Sequence, residues 1–145
     1  MSVDLQQNAD SSLGLRGTST ATVTAGDGFV PINIPYLATT VDSVVFVADR
    51  AYVVKSIGGR VVTAGTGGAC TAQIRKAATT VALASGTLLH TGSFNLVGTA
   101  LANQTLTLSA TASDLLLAVG DALVFDLTGT ATSAAGVITV MLAPA

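Results

Sequence analysis

The stretch LLLAVGDALVFDLTGTATSAAGVITVMLA, residues 115–143, decides the fold class of this chain. Its Gly120-Asp121 pair is typical of a turn, because glycine tolerates a positive φ and an aspartate carboxylate can bond nearby backbone. After this turn, side chains alternate with a period of two in residues 122–128 and again in residues 136–142, as they do in β-strands. A loop of Gly, Thr, Ala and Ser separates the two segments, and the pattern predicts a β-hairpin.

Neither of these predicted strands has a well-charged second face. One face of each is strongly apolar: Leu123, Phe125 and Leu127 in the first, and Ile138, Val140 and Leu142 in the second. The opposite faces are Ala122, Val124, Asp126 and Thr128, then Val137, Thr139 and Met141. A sheet with one face in water alternates apolar with polar side chains. We therefore expect these strands to be covered on both sides, by their own core and, as a candidate for the far side, by another subunit.

The composition favours an all-β protein with a covered surface. Charged residues make up 10% and aromatic residues 4% of the 145 residues, and there is no tryptophan. An average soluble domain carries about 25% charged residues. The mean hydropathy is +0.67, but no apolar run approaches the roughly 18 residues that a membrane-spanning helix needs. Because large exposed apolar areas usually mark interfaces, we expect an oligomer.

The few charges are unevenly distributed. The net charge is −2, there is no glutamate, and five of the six cations lie between residues 50 and 76: Arg50, Lys55, Arg60, Arg75 and Lys76. This cluster either faces an acidic partner surface or consists of solvated charges at strand edges. A nucleic-acid-binding protein is normally basic and carries stacking aromatic side chains, and this chain has neither property.

Length and local composition predict one main domain with an extension. Residues 1–17 are polar and predict an N-terminal arm, and residues 18–145 predict a single β-sandwich domain. Such an arm is either held by a neighbouring chain or loose. The first residues lack the basic and apolar regions of a signal peptide, which predicts folding in a cytoplasm.

Short strand signals recur about every ten residues, which is typical of an antiparallel β-sandwich or jelly roll. Pro31 and Pro35 predict that their strand lies at a sheet edge or corner. Residues 51–63 form one predicted strand with a bulge or bend at Gly58-Gly59. Residues 113–119 fit either one helical turn or a short strand.

No motif in the chain predicts catalysis or metal binding. His90 is the only histidine and Cys70 the only cysteine, so neither a closed zinc site nor a nucleophile–base pair has enough partners. We interpret His90 as a strand-end or interface residue and Cys70 as a small core side chain. The sequence therefore predicts no enzyme activity, no cofactor and no small-molecule substrate.

Three further polar features have structural interpretations. The glycine-rich residues 65–68 lack both phosphate-binding motifs and predict a hairpin loop. Asp121 is interpreted as a turn residue. Asp126 stands in the middle of a strand, where it either pairs with an Arg or Lys of an adjacent strand or subunit, or is exposed to solvent. Asn103 begins a glycosylation sequon, which means little without a secretion signal.

Several stretches taken in order resemble the decoration, or cement, proteins of tailed-bacteriophage heads and their prophage relatives. They are YVVKSIGGRV at 52–61, IRKA at 74–77, ASGTLL at 84–89, TLTLS at 105–109, LLLAVGDALVFDLTGT at 115–130 and AAGVITVML at 134–142. The resemblance implies a jelly roll or related sandwich, usually trimeric, on the outer capsid at local threefold positions. It also implies two partners, the chain itself and the major capsid protein, and a location on the virion.

Two other functions compete with this expectation. A fibre-head or carbohydrate-binding module has a similar fold, but sugar sites usually offer aromatic platforms, and this chain has only Tyr36 and Tyr52 and no tryptophan. A small β-fold enzyme is disfavoured by the absence of catalytic motifs. Membranes and nucleic acids are not among the expected partners.

Overall fold

The computed structural model describes residues 28–37, 40–130 and 132–145, which form two antiparallel β-sheets. The predicted antiparallel β-sandwich is therefore confirmed. The predicted arm at residues 1–17 lies outside the described residues, and the domain boundary at residue 18 stays a prediction. The strands are β1 (Val30–Leu37), β2 (Ser43–Val47), β3 (Tyr52–Thr63), β4 (Cys70–Ala77), β5 (Thr87–Leu88), β6 (Phe94–Asn95), β7 (Asn103–Leu106), β8 (Leu116–Leu117), β9 (Ala122–Gly129) and β10 (Ala135–Pro144).

The strand order is that of a jelly roll. Sheet I has the order β1-β10-β3-β7, with β8 also on β3, and sheet II has the order β2-β9-β4-β5, with β6 also on β4. The first strand thus pairs with the last, the second with the next to last, and the sequence of pairs winds inward to β4 and β5. This double-sheet winding is the jelly-roll solution to burying one face of each sheet.

The predicted hairpin of residues 122–128 and 136–142 is wrong, although both strands exist. β9 pairs with β2 and β4 in sheet II, whereas β10 pairs with β1 and β3 in sheet I. The loop between them crosses from one sheet to the other. A period of two identifies a strand and its faces, but it carries no information about the strand's partners. For the same reason residues 65–68 are not a hairpin loop, since they connect β3 of sheet I with β4 of sheet II.

The core lies between the sheets and contains the side chains that the alternation placed inward. From sheet I it takes Ile138, Val140 and Leu142, all buried, and from sheet II Leu123 and Phe125. Ala72 and Ile74 are buried in β4, as their alternation predicts.

The region after β7 contains both structures that residues 113–119 could have formed. A 3-10 turn at Ala112–Leu115 is followed at once by β8, and a second 3-10 turn spans Leu83–Ser85.

In the described part of the chain, no helix has the length and apolar character needed to cross a membrane.

Among the strands that the structure describes, β1, which contains Pro31 and Pro35, lies at the edge of sheet I, so the predicted edge position is confirmed for these residues. Proline has no N–H to donate to a sheet ladder, and proline in an edge strand discourages pairing with a further strand.

Of the bulge or bend predicted at Gly58-Gly59, the bulge is wrong. Both glycines pair in register with β10 and with β7. The register shifts of β3 against β10 fall instead at Lys55 and Val62. Glycine is needed here for space, because a Cβ at Gly59 would lie 3.1 Å from Cε1 of Phe94.

Gly136 in β10 makes a second and tighter close approach. It pairs with Tyr36, whose ring is buried between the sheets. A Cβ at this position would lie 2.7 Å from Cζ of Tyr36 and would also clash with the carbonyl oxygen of Arg60. The ring and the backbone of β3 therefore occupy the space that any side chain would need.

We expect Gly136→Ala to lower the free energy of unfolding by about 1–3 kcal/mol, the usual cost of overpacking a core. Urea unfolding followed by circular dichroism measures the change. Gly68→Ala is the matched control, because no atom lies within 4 Å of the added methyl. It should leave stability unchanged or raise it by up to about 1 kcal/mol. Equal effects of the two substitutions would contradict the close approach.

Candidate interaction surface

The outer side of sheet I presents a broad, nearly uncharged surface, which we call the sheet I face. Strand register sets its side chains in four rows: Pro31, Met141 and Ser56; Asn33, Thr139, Gly58 and Thr105; Pro35, Val137, Arg60 and Asn103; Leu37, Ala135 and Thr63. Directly paired residues share one side of a sheet, so each row runs across the strands. Arg60 is the charged side chain of these rows, and Lys55, which the register skips at the bulge next to Ser56, is exposed on the same side.

A shallow depression of about 290 Å³ lies on the sheet I face. It is lined by Ser56, Gly58, Gly59, Arg60, Asn103, Val137, Thr139 and Met141. The floor is low at Gly58, which carries no side chain on this side, whereas Gly59 lines it with backbone alone because a Cβ there would point to Phe94 in the core. Around them, Thr139 donates a hydrogen bond of 2.8 Å from its hydroxyl to Oδ1 of Asn33, which fixes both side chains across β10 and β1.

The chemistry of the sheet I face resembles that of a protein interface. Interface cores are depleted in charge and well supplied with apolar side chains. Here Val137, Thr139 and Met141 are half-buried within the described residues, and Leu37 is 64% exposed at the end of the face. The expectation that the outer side of β10 is covered by another subunit stays a prediction.

The outer side of β9 is different, because the chain covers it with its own residues. Val124 is fully buried and Asp126 is 6% exposed, although both point away from the core. The turn Leu83–Ser85 contacts both β9 and β4. The expectation that this strand is covered on both sides is therefore confirmed at Val124 and Asp126, where the cover comes from the same chain, but not at Thr128, which is exposed.

Asp126 pairs with Arg75 of the neighbouring strand, so the first of its two interpretations is correct. Nε of Arg75 donates to Oδ2 of Asp126 at 2.5 Å. The same guanidinium donates to the Gln73 side chain at 2.8 Å and to the carbonyl oxygen of Gly86 at 3.1 Å. Arg75 thus joins β9, β4 and the segment over them, and the pair has a structural role.

Lys76 has a comparable role at the end of the sandwich. Its ammonium group donates to the carbonyl oxygens of Ser113 and Leu116, at 2.7 and 2.8 Å. These residues precede and begin β8 of sheet I, so Lys76 ties sheet II to sheet I. Two of the five clustered cations therefore serve the fold, whereas the other three, Arg50, Lys55 and Arg60, are exposed.

His90 is buried, with 2% of its surface exposed. Its Nε2 accepts a hydrogen bond of 2.9 Å from the backbone N–H of Ile74, and its Nδ1 lies 3.3 Å from the carbonyl oxygen of Thr91. Burial lowers the pKa of the imidazole, and Nε2 can accept only when it is unprotonated. No sequence pattern predicts this bond, because the backbone N–H of Ile74 is left for His90 only by the way in which the short strands pair with β4.

Cys70 and Asp121 lie where the sequence placed them. Cys70 is buried, and burial raises the pKa of its thiol, which disfavours the reactive thiolate. Oδ2 of Asp121 accepts a hydrogen bond of 2.9 Å from the N–H of Ala118, the turn chemistry expected of it. Within residues 28–37, 40–130 and 132–145, no three His, Cys or Asp side chains are grouped closely enough to hold a metal ion.

No protein-family model matches the chain, and no curated protein or solved structure matches it significantly.

We expect Asp126→Ala to lower the free energy of unfolding by about 3 kcal/mol, because it leaves the guanidinium of Arg75 partly buried without its anion. Thermal and urea unfolding measure the loss. Arg50→Ala is the control, since it breaks the exposed pair with Asp49, whose atoms are 3.6 Å apart. That change should cost less than about 1 kcal/mol. A comparable loss in both variants would show that the Arg75–Asp126 pair contributes no more to the free energy of unfolding than an exposed ion pair.

Proposed function

We propose that this chain is a structural decoration protein that binds the outer surface of a phage head and stabilises the shell. In this proposal it acts as a homotrimer at local threefold positions, with itself and the major capsid protein as partners. It is made in the host cytoplasm and resides on the virion. Nucleic acid, membrane and small-molecule substrates have no part in the proposal.

The sheet I face is the observation that supports this proposal. It combines apolar side chains with neutral polar ones across its four rows, and its charges are Arg60 and, at the bulge of β3, Lys55. Burying such a surface costs little, because few charged groups must be desolvated. A protein whose task is to hold neighbouring subunits together needs a surface of this kind and no reactive groups.

Stabilisation of a shell requires only binding energy. A ligand that binds the assembled state and not the dissociated one stabilises the assembled state by mass action, by about 2.7 kcal/mol at a hundredfold excess over its Kd. A trimer that contacts several capsid subunits at once also gains affinity through effective concentration. The sandwich supplies a rigid body on which such contacts can be held.

The fold offers little to the competing carbohydrate-binding function. Both tyrosines are interior, with Tyr36 2% and Tyr52 6% exposed. Tyr36 stacks across the sheets on Phe125, with ring centroids 6.5 Å apart, and the Tyr52 hydroxyl donates to Asp49 at 2.8 Å. Neither ring is free to stack on a sugar.

The proposal is tested with phage heads that lack this chain, to which purified full-length protein is added back. We expect the heads to break at a higher temperature once the protein is bound, and the free protein to sediment as a trimer at micromolar concentration. Heads that are equally robust without the protein but fail to adsorb to cells or glycans would support the binding module instead. A monomer that does not bind heads would overturn the proposal.

We expect Met141→Lys to reduce head binding or trimer formation at least tenfold, because it places a further positive charge on the sheet I face, beside those of Lys55 and Arg60. Occupancy on purified heads, measured by quantitative gel densitometry, reports the change. Thr128→Lys is the matched control, since Thr128 is exposed on β9 of sheet II. If both variants bind like the unmodified chain and remain folded by circular dichroism, the sheet I face is not the contact surface.

A further inference from the structure

The outer edge of β4 has a gap in its pairing. β5 pairs with Arg75 and Lys76, and β6 pairs with Thr71 and Ala72. Ile74 lies between these two short partners. Its carbonyl oxygen accepts from the N–H of Leu89 at 3.2 Å, and its N–H donates to the imidazole of His90. A side-chain nitrogen therefore stands where a strand carbonyl would normally accept.

The residues around His90 form a strap between the two sheets, which we define as residues 89–91 together with residues 107–109. Within the strap, the N–H of Thr91 donates to Thr107 at 2.8 Å and the N–H of Ser109 donates to Leu89 at 2.9 Å. Residues 107–109 directly follow β7, which pairs with β3 of sheet I. The strap thus reaches from sheet I to the edge of β4 in sheet II.

We propose that His90 is a proton-operated latch for this strap. A proton taken from solvent by the Nε2 lone pair removes the acceptor of the Ile74 N–H and turns it into a second donor. The two N–H groups then face each other in a buried place, and the bond that holds the strap to β4 is lost. The strap opens locally while the two sheets remain packed.

Burial is the largest effect on the pKa of His90 and lowers it, as does the charge of Arg75, whereas contacts with the backbone of Thr91 and Gly92 raise it. On β4, Arg75 is cationic, with its guanidinium held by Asp126 of β9, and Lys76 is cationic at the end of the strand. The Cys70 thiol is buried in the same strand. On the strap side, Asp114 accepts from the Ser109 hydroxyl at 2.6 Å. The aromatic neighbour is Phe94, whose ring centroid lies 6.4 Å from the imidazole, and residues 91–95 and β5 carry no titratable group.

The sign of the pH effect follows from the lowered pKa of His90. Above about pH 6.5, the usual pKa of histidine, both the closed and the open forms are neutral and the strap has its full stability. As the pH falls below this value, the open form takes up a proton that the closed form resists. The stability of the closed strap therefore falls until the pH passes the lowered pKa.

Hydrogen exchange of the full-length protein, followed by NMR between pH 7.5 and 4.5 and corrected for intrinsic rates, tests the latch. We expect the protection of the Ile74, Thr91 and Ser109 amides to fall by up to about tenfold per pH unit below pH 6.5. The Val140 amide in the centre of sheet I should keep its protection. A loss of protection at all four amides together would overturn the proposal, because it would report global unfolding.

His90→Gln is the matched variant, since its amide oxygen can accept from Ile74 but does not titrate. We expect the pH dependence of the three strap amides to disappear in this variant. The same pH dependence in both proteins would overturn the latch. The imidazole resonances of the unmodified protein give a second test that needs no variant: a titration midpoint at or above pH 6.5 would also contradict the proposal.

Discussion

Two aromatic rings fit between the sheets because glycine stands opposite each of them. Gly136 leaves room for Tyr36, and Gly59 leaves room for Phe94. Both glycines belong to β10 and β3, the central pair of sheet I, so the backbone of that pair lies close to the rings. A chain with only 4% aromatic residues cannot fill its interior with rings alone. Most of the core is therefore Ile, Leu, Val and Ala, and its close packing depends on a few places where the two layers approach.

Two of the few charged side chains, Arg75 and Lys76, hold parts of the fold together. Arg75 and Lys76 come from adjacent positions of β4 but point to opposite sides of sheet II. Arg75 holds the outer cover to β9 through Asp126, and Lys76 holds the end of sheet I through two carbonyl oxygens. These two cations, which a typical protein would leave exposed to water, therefore stabilise contacts within the fold. Arg50, Lys55 and Arg60 remain exposed, so the surface keeps only a few charges, which suits a protein whose proposed role is to be covered by other subunits.

The sequence contained the strands and their faces but not the connections between them. Alternation placed Ile138, Val140 and Leu142 correctly in the core, since the period of a strand is a local property. Strand pairing is not a local property. In the jelly-roll winding, β9 and β10 lie in different sheets, so the predicted hairpin between them does not form. The Gly58-Gly59 pair predicts a bulge or bend, but glycine also permits a close approach, and only the position of Phe94 shows that Gly59 is needed for space. The hydrogen bond between His90 and Ile74 could not be predicted from the sequence either, because it depends on where β5 ends and β6 begins.

The proposed contact surface and the proposed latch meet at β7. Asn103 and Thr105 of this strand lie on the sheet I face, and the residues that directly follow it form half of the strap. β7 is also an edge strand with four residues, so its attachment to the sandwich depends on β3 on one side and on the strap beyond it. The opposite edge of the same face is β1, where proline discourages the addition of further strands. Association through this face would therefore proceed by contact between side chains, and loosening the strap would loosen one border of the surface that makes those contacts.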